Sequence, residues 1–143
     1  MSGRIVPYNE ICSNTKDEMR VMTIRNYPGL PDGDYALLDS YCVDPKCDCR
    51  VAYIFVMSKR KHMASINFGW ESLDFYRKWM GYDEVDDTIR DLKGPALMLM
   101  APQTKYASIL FELVRVRLDD PNYVQRLKRH YKETRKALSS RKR

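Results

Sequence analysis

Two different hydrophobic periods divide the chain. Up to about residue 69, apolar and polar positions alternate or form short runs rich in β-branched and aromatic residues, a pattern typical of strands. A turn rich in proline and glycine, residues 27–33, interrupts the pattern, and short linkers separate the remaining runs. The sequence therefore predicts an antiparallel meander of three or four strands, with the runs at residues 21–26, 35–42, 49–57 and 63–68.

After residue 69 the hydrophobic period becomes helical. Ser72 can cap a first helix that Gly81 would end. Acidic residues at its start and a Gly-Pro pair at its end predict a second helix over residues 84–93. A third helix is indicated by an apolar stripe at helical spacing, formed by Ala107, Leu110, Phe111, Val114 and Leu118.

A last helix is predicted after Asp120, which can act as its cap, with Pro121 at the first helical position, where its missing N–H is not needed. Strands followed by helices predict an α+β fold, an antiparallel β-meander in the N-terminal half followed by a helical C-terminal half. We expect one domain over residues 1–138 and a basic flexible tail at 139–143.

Membrane and secretory segments are not indicated. No apolar run approaches the roughly 20 residues that a membrane span requires, and the first ten residues contain no apolar region typical of a secretory signal. The sequence therefore predicts a cytoplasmic protein without a membrane partner. In that reducing compartment, clustered thiols are more often metal ligands or reactive groups than disulfides.

Three of the four cysteines, Cys42, Cys47 and Cys49, lie within eight residues. If residues 35–42 and 49–57 pair as a hairpin with a loop at 43–46, Cys42 faces Cys47 across the strand ends. Cys47 and Cys49 point to the same side of an extended chain. Three converging thiolates match the ligands of a tetrahedral Zn²⁺, whose bonds to sulfur are about 2.3 Å. Zn²⁺ is therefore the predicted cofactor.

A closed zinc site needs a fourth ligand. Cys12 is the first candidate, because it completes an all-cysteine set, and His130 or His62 is the alternative. Asp44 and Asp48 are candidates for the surroundings of the metal or for a carboxylate ligand. Three other interpretations of the cysteines stay open: packed buried thiols, a disulfide, and a redox-reactive thiol beside a basic side chain.

Three short motifs carry a resemblance. They are CDCRV at 47–51, FGWE at 68–71 and YVxRLKxHY at 123–131. In these motifs the chain resembles a group of uncharacterised bacterial proteins with a CxxxxCxC motif, over roughly residues 34 to 135. The resemblance implies a cysteine-containing domain without an assigned biochemical role. Some members carry an added SEC-C zinc motif at the C-terminus, which this chain lacks.

Positive charge is concentrated at the C-terminus. Residues 121–143 contain nine Lys or Arg and one acid, a net charge of +8, whereas the whole chain carries +6. A cationic helix can bind RNA, DNA, a ribosome or an acidic protein; the alternative is a solvated amphipathic helix. The candidate nucleic-acid-binding residues are Arg126, Lys128, Arg129, Lys132, Arg135 and Lys136.

Trp70 and Glu71, at the junction between strands and helices, are candidates for a pocket, although core packing also explains the tryptophan. The sequence contains no glycine-rich phosphate loop, nucleophile elbow or H-E-x-x-H motif. An open zinc site with Glu71 as base would make a hydrolase. The pattern favours a non-enzymatic role: a small cytoplasmic domain with a structural zinc, acting as an interaction or binding module.

Overall fold

The computed structural model describes residues 4–12 and 19–140. Six strands and five helices are present in this part of the chain. In chain order they are β1 (Ile5–Pro7), α1 (Tyr8–Ile11), β2 (Arg20–Ile24), β3 (Gly33–Cys42), β4 (Val51–Ser58), β5 (Lys61–Gly69), α2 (Leu73–Met80), α3 (Asp87–Lys93), β6 (Ala96–Leu97), α4 (Ala107–Arg117) and α5 (Pro121–Ser140).

The strands form one antiparallel sheet in the order β1-β3-β4-β5-β6. β2 also pairs with β3, so β1 and β2 lie one after the other along the same edge of that strand. The predicted meander is confirmed by β2 to β5, and the α+β fold is confirmed by the helices that follow. β1, α1 and β6 have only two to four residues each, too few to produce a periodic signal.

Helices pack on both faces of the sheet. α4 and α5 cover the face that carries Ile54 and Val56. The buried side chains of these two helices and of this face form the larger core cluster. α2 and α3 contribute Tyr76 and Ile89 to a smaller cluster that also contains Cys42 and Cys49. Because neighbouring residues of a strand point to opposite faces, the cysteines belong to the face opposite α4 and α5.

The helix caps confirm most predicted ends. Ser72 accepts a hydrogen bond from the Phe75 amide (3.1 Å), and Gly81 ends α2 with φ of 74°. The second helix is shorter than predicted: it begins at Asp87 rather than at residue 84. The cause is Asp86, whose backbone is extended and whose carboxylate accepts the Ile89 N–H at 3.1 Å.

α5 begins as predicted, with Pro121 in first position and the Asp120 carboxylate accepting the Asn122 N–H at 2.9 Å. It continues through Ser140, so the first two residues of the predicted flexible tail, 139 and 140, are helical. The remaining residues of that tail, 141–143, lie outside the described residues. None of the described helices combines the length and the apolar character that a membrane span requires.

The loop between β3 and β4 is longer than predicted. It covers residues 43–50 instead of 43–46, and the last β3–β4 pair is Ser40 with Tyr53. The Asp44 carboxylate accepts the Lys46 N–H, and the Asp44 carbonyl accepts the Cys47 N–H, each at 3.0 Å, so a local turn replaces the ladder. Arg50 has a left-handed backbone (φ of 53°). Cys47 and Cys49 therefore lie in a loop and not in a strand.

Candidate functional site

Cys42, Cys47 and Cys49 meet in one cavity of about 370 Å³. Residues 42–50, here called the cysteine loop, fold over it, and the cavity is also lined by Ile5, Asp44, Lys46, Tyr53 and Trp79. Cys42 and Cys49 are buried, with 7% and 2% of their surface exposed, whereas Cys47 is half-buried. All four cysteines of the chain are free thiols. The structure thus brings together the three residues that the sequence predicted to converge.

The three thiols are close enough to shift one another's pKa: Cys47 raises the pKa of Cys42 and lowers that of Cys49, and all three raise the pKa of Tyr53. The backbone N–H groups two positions later, those of Asp44, Cys49 and Val51, lower the pKa of Cys42, Cys47 and Cys49, respectively. Donors aimed at sulfur stabilise its thiolate form.

Burial acts in the opposite direction. Desolvation is the largest effect on all three thiols, and it raises the pKa of Cys42, Cys47 and Cys49 above the ordinary value. The backbone N–H groups lower these pKa values, as does the Arg135 charge for Cys42 and Cys49. Without a cation, the protonated thiols are favoured; a metal that binds there has to displace their protons.

Helix α5 holds the cysteine loop in place. The Arg135 guanidinium donates to the carbonyl oxygens of Asp44 (2.9 Å), Cys47 and Cys42. One turn earlier, the Tyr131 hydroxyl donates to the Asp48 carboxylate at 2.8 Å and accepts the Arg50 N–H at 3.3 Å. Two side chains of one helix thus fix both ends of the loop.

The predicted fourth ligands lie elsewhere. Cys12 packs against the larger core cluster, whereas the three grouped cysteines belong to the smaller one. His62 lies on β5 opposite Met57, about 20 Å along the sheet from the start of β4. Its Nε2 is 2.7 Å from the Ser65 hydroxyl. Neither residue adjoins the cavity.

His130 is also remote from the thiols. It is fully buried in α5, where its Nδ1 lies 2.6 Å from an Asp39 carboxylate oxygen and its ring stacks on Tyr8 at 3.6 Å. The same carboxylate oxygen accepts a hydrogen bond from the Tyr41 hydroxyl at 2.7 Å. Asp39 and Tyr41 belong to the β3 face beneath α5, so this group forms a polar network inside the larger core.

Within residues 4–12 and 19–140, no three or more His, Cys, Asp or Glu side chains are arranged as a group that could hold a metal ion. Asp44 is the one carboxylate on the described wall of the thiol cavity. Binding of a metal would therefore require the thiols to turn toward a common centre.

A second cavity, also of about 370 Å³, lies on the other side of the cysteine loop and is here called the lysine groove. Its walls contain Trp70 and Glu71, the residues singled out as a candidate pocket, together with Lys128, Tyr131 and Lys132 of α5. Asp48 and Arg50 complete it. Arg50 forms ion pairs with Asp48 (2.9 Å) and Glu71 (3.3 Å), so the two carboxylates of the groove share one cationic partner.

The six candidate cations of α5 have different surroundings. Arg135 is engaged with the cysteine loop, and Arg129 pairs with Glu133 at 3.6 Å. Arg126 is half-buried and interacts with other residues of the protein, so it is not a free cation. Lys128, Lys132 and Lys136 have no ion-pair partner in the part of the chain that the structure describes. The contact of Arg135 could not be found from sequence, because its partners are about 90 residues away.

In comparisons with known proteins, no family model, no curated protein and no solved structure matches the chain. The resemblance to the CxxxxCxC group therefore stays a prediction, and function has to be inferred from the residues themselves.

Proposed function

We propose that this chain is a small zinc-binding interaction domain of a reducing compartment such as the cytoplasm, in which Cys42, Cys47 and Cys49 hold the ion. One observation carries the proposal: three thiols share a cavity of about 370 Å³, in a loop where backbone N–H groups lower the pKa of each thiol. A loop that directs amide donors at three neighbouring sulfurs is suited to thiolates, which need such donors when they are bound to a cation.

The donor set favours zinc. Thiolate is the ligand that soft or borderline ions prefer, and Zn²⁺ accepts three cysteines with one further donor. Asp44 or a water molecule would provide that donor, since Asp44 lines the same cavity. The ion would join the end of β3 to the loop and to the residue before Arg50. Its role would be to stabilise the surface that the cysteine loop and α5 form together.

A hydrolase is a weaker alternative. It requires a base beside the metal, and the sequence indicates Glu71 for that task. Glu71 lines the lysine groove and pairs with Arg50 at 3.3 Å, whereas the thiols line the other cavity. Among the described residues that line the thiol cavity, Asp44 is the one carboxylate. These placements favour a structural ion.

Metal content tests the proposal. Protein purified from zinc-replete cells is expected to contain about one equivalent of zinc, and each of Cys42→Ser, Cys47→Ser and Cys49→Ser is expected to reduce this to below about a third, because two thiolates hold Zn²⁺ far more weakly than three. Cys12→Ser is the matched control and should retain the wild-type content. Elemental analysis of the four variants gives the result.

The wild-type protein should lose zinc affinity as the pH falls. The reason is that protons compete with the metal for the three thiols, and burial has raised the pKa of each. Cobalt substitution makes this visible through the sulfur-to-cobalt charge-transfer band. Wild-type protein that contains little zinc and whose thiols all titrate freely would contradict the proposal, and so would loss of the ion in Cys12→Ser alone.

A further inference from the structure

We propose that the lysine groove binds single-stranded nucleic acid, with a base against Trp70 and a phosphate between Lys128 and Lys132. This inference is independent of the zinc proposal, because none of these residues lines the thiol cavity. The lysine groove has a volume of about 370 Å³, which falls within the range of sites that hold a small ligand or one unit of a polymer.

The charges of the groove favour the binding of an anion. Lys128 and Lys132 are one helical turn apart and line the same wall. The third cation, Arg50, already pairs with both acids of the groove, Asp48 and Glu71. No described residue pairs with either lysine. With three cations and two acids, the groove carries one positive charge in excess, and its two unpaired ammonium groups are common ligands of phosphate.

The aromatic wall suits a base. Trp70 packs against the larger core cluster, and its ring lies 5.2 Å from that of Tyr131 with an interplanar angle of 72°. Because Trp70 is only half-buried, part of its indole stays accessible in the groove. The Tyr131 hydroxyl is fixed by Asp48 at 2.8 Å, so the wall is formed before a ligand arrives. Stacking on such a ring does not depend on the identity of the base.

The combination of two lysines with an aromatic wall favours nucleic acid over an acidic peptide as the ligand. Carboxylates need only the lysines, whereas a strand with alternating bases and phosphates uses the ring and the charges together. Lys136 continues the row of lysines beyond the groove, at a spacing of about 6 Å for each four residues of α5. A backbone that leaves the groove along the helix would meet this next cation.

The first test measures affinity for labelled oligonucleotides of twelve residues, rU12 and dT12, by fluorescence anisotropy at several salt concentrations. Lys128→Ala/Lys132→Ala is expected to bind at least about tenfold more weakly, with a salt dependence shallower by about 0.7 units of slope, the value for one lost phosphate contact on a single strand. Lys59→Ala/Lys61→Ala removes the same charge at the distant β4–β5 turn and should bind as the wild type does. The two oligonucleotides separate RNA from DNA.

The second test needs no change in the groove. The chain has two tryptophans, and Trp79→Phe leaves Trp70 as the reporter. Saturating rU12 or dT12 should quench its emission, and inorganic phosphate should not, because only a stacked base contacts the indole. Unquenched Trp70 at saturation overturns the proposal, as does an equal loss of affinity in both lysine pairs. A polyglutamate peptide that binds the wild type as tightly as rU12 does would assign the groove to an acidic protein instead.

Discussion

Replacing Asp39 with alanine is expected to lower the free energy of unfolding by about 3–5 kcal/mol, because it removes one member of a buried charged or strongly polar group. Asp39 is 8% exposed and accepts from Tyr41 at 2.7 Å. Its carboxylate also lies 2.6 Å from Nδ1 of His130, which is fully buried. Without the carboxylate, the imidazole and the hydroxyl lose this partner inside the core between β3 and α5. Chemical denaturation followed by circular dichroism measures the loss.

Asp34→Ala is the matched control, since Asp34 is an exposed aspartate near the other end of β3 that accepts one hydrogen bond from Thr23 at 2.9 Å. Its effect should be far smaller than that of Asp39→Ala. Adding His130→Leu to Asp39→Ala should recover part of the loss, because it removes the unpaired imidazole from the apolar interior. Equal stability of the Asp34 and Asp39 variants would show that the network does not stabilise the fold.

Arg135→Met is the second substitution from which we expect a large effect, a loss of about 3 kcal/mol, because hydrogen bonds from a charged donor to three carbonyl groups disappear together. The Arg135 guanidinium contacts the carbonyls of Cys42, Asp44 and Cys47 from α5. The cysteine loop should then open more readily. Its amides should exchange faster with deuterium, and the Cys47 thiol should react faster with an alkylating reagent.

Two comparisons separate this contact from net charge. Arg135→Lys keeps the charge but loses the planar fork, so it should resemble Arg135→Met. Lys136→Met removes the same charge from the neighbouring exposed position and should leave the loop amides unchanged. If Arg135→Lys behaved like the wild type, charge rather than the geometry of the fork would hold the loop.

The elements predicted correctly depend on local signals. Ser72 and Gly81 fix the ends of α2 through their own side chain and backbone, and the strands of the meander are long enough to show their period. The sequence predicts the start of α3 too early, because several acids precede it and only the structure shows that Asp86 is the cap. β1 and β6 form because longer strands offer them an edge, which is a tertiary effect.

In the candidate site too, features set by neighbouring residues could be predicted and features set by tertiary contacts could not. Cys42, Cys47 and Cys49 are close in sequence, so their meeting could be predicted even though the predicted hairpin loop was too short. The position of Cys12 depends on how α1 packs against β3 and α5, which no local pattern encodes. Arg135 resembles any other solvated cation of an amphipathic helix. Its role appears only when α5 is placed beside a loop about 90 residues earlier.

X-ray absorption at the zinc edge tests the zinc centre most directly. Three thiolates and one lighter donor predict three sulfur scatterers at about 2.3 Å and one oxygen or nitrogen at about 2.0–2.2 Å. Asp44→Asn should leave the three sulfurs in place. A shell made of oxygen and nitrogen alone would contradict a zinc ion held by Cys42, Cys47 and Cys49. Four sulfurs would bring in Cys12, the remaining cysteine of the chain, and would contradict the lighter fourth donor.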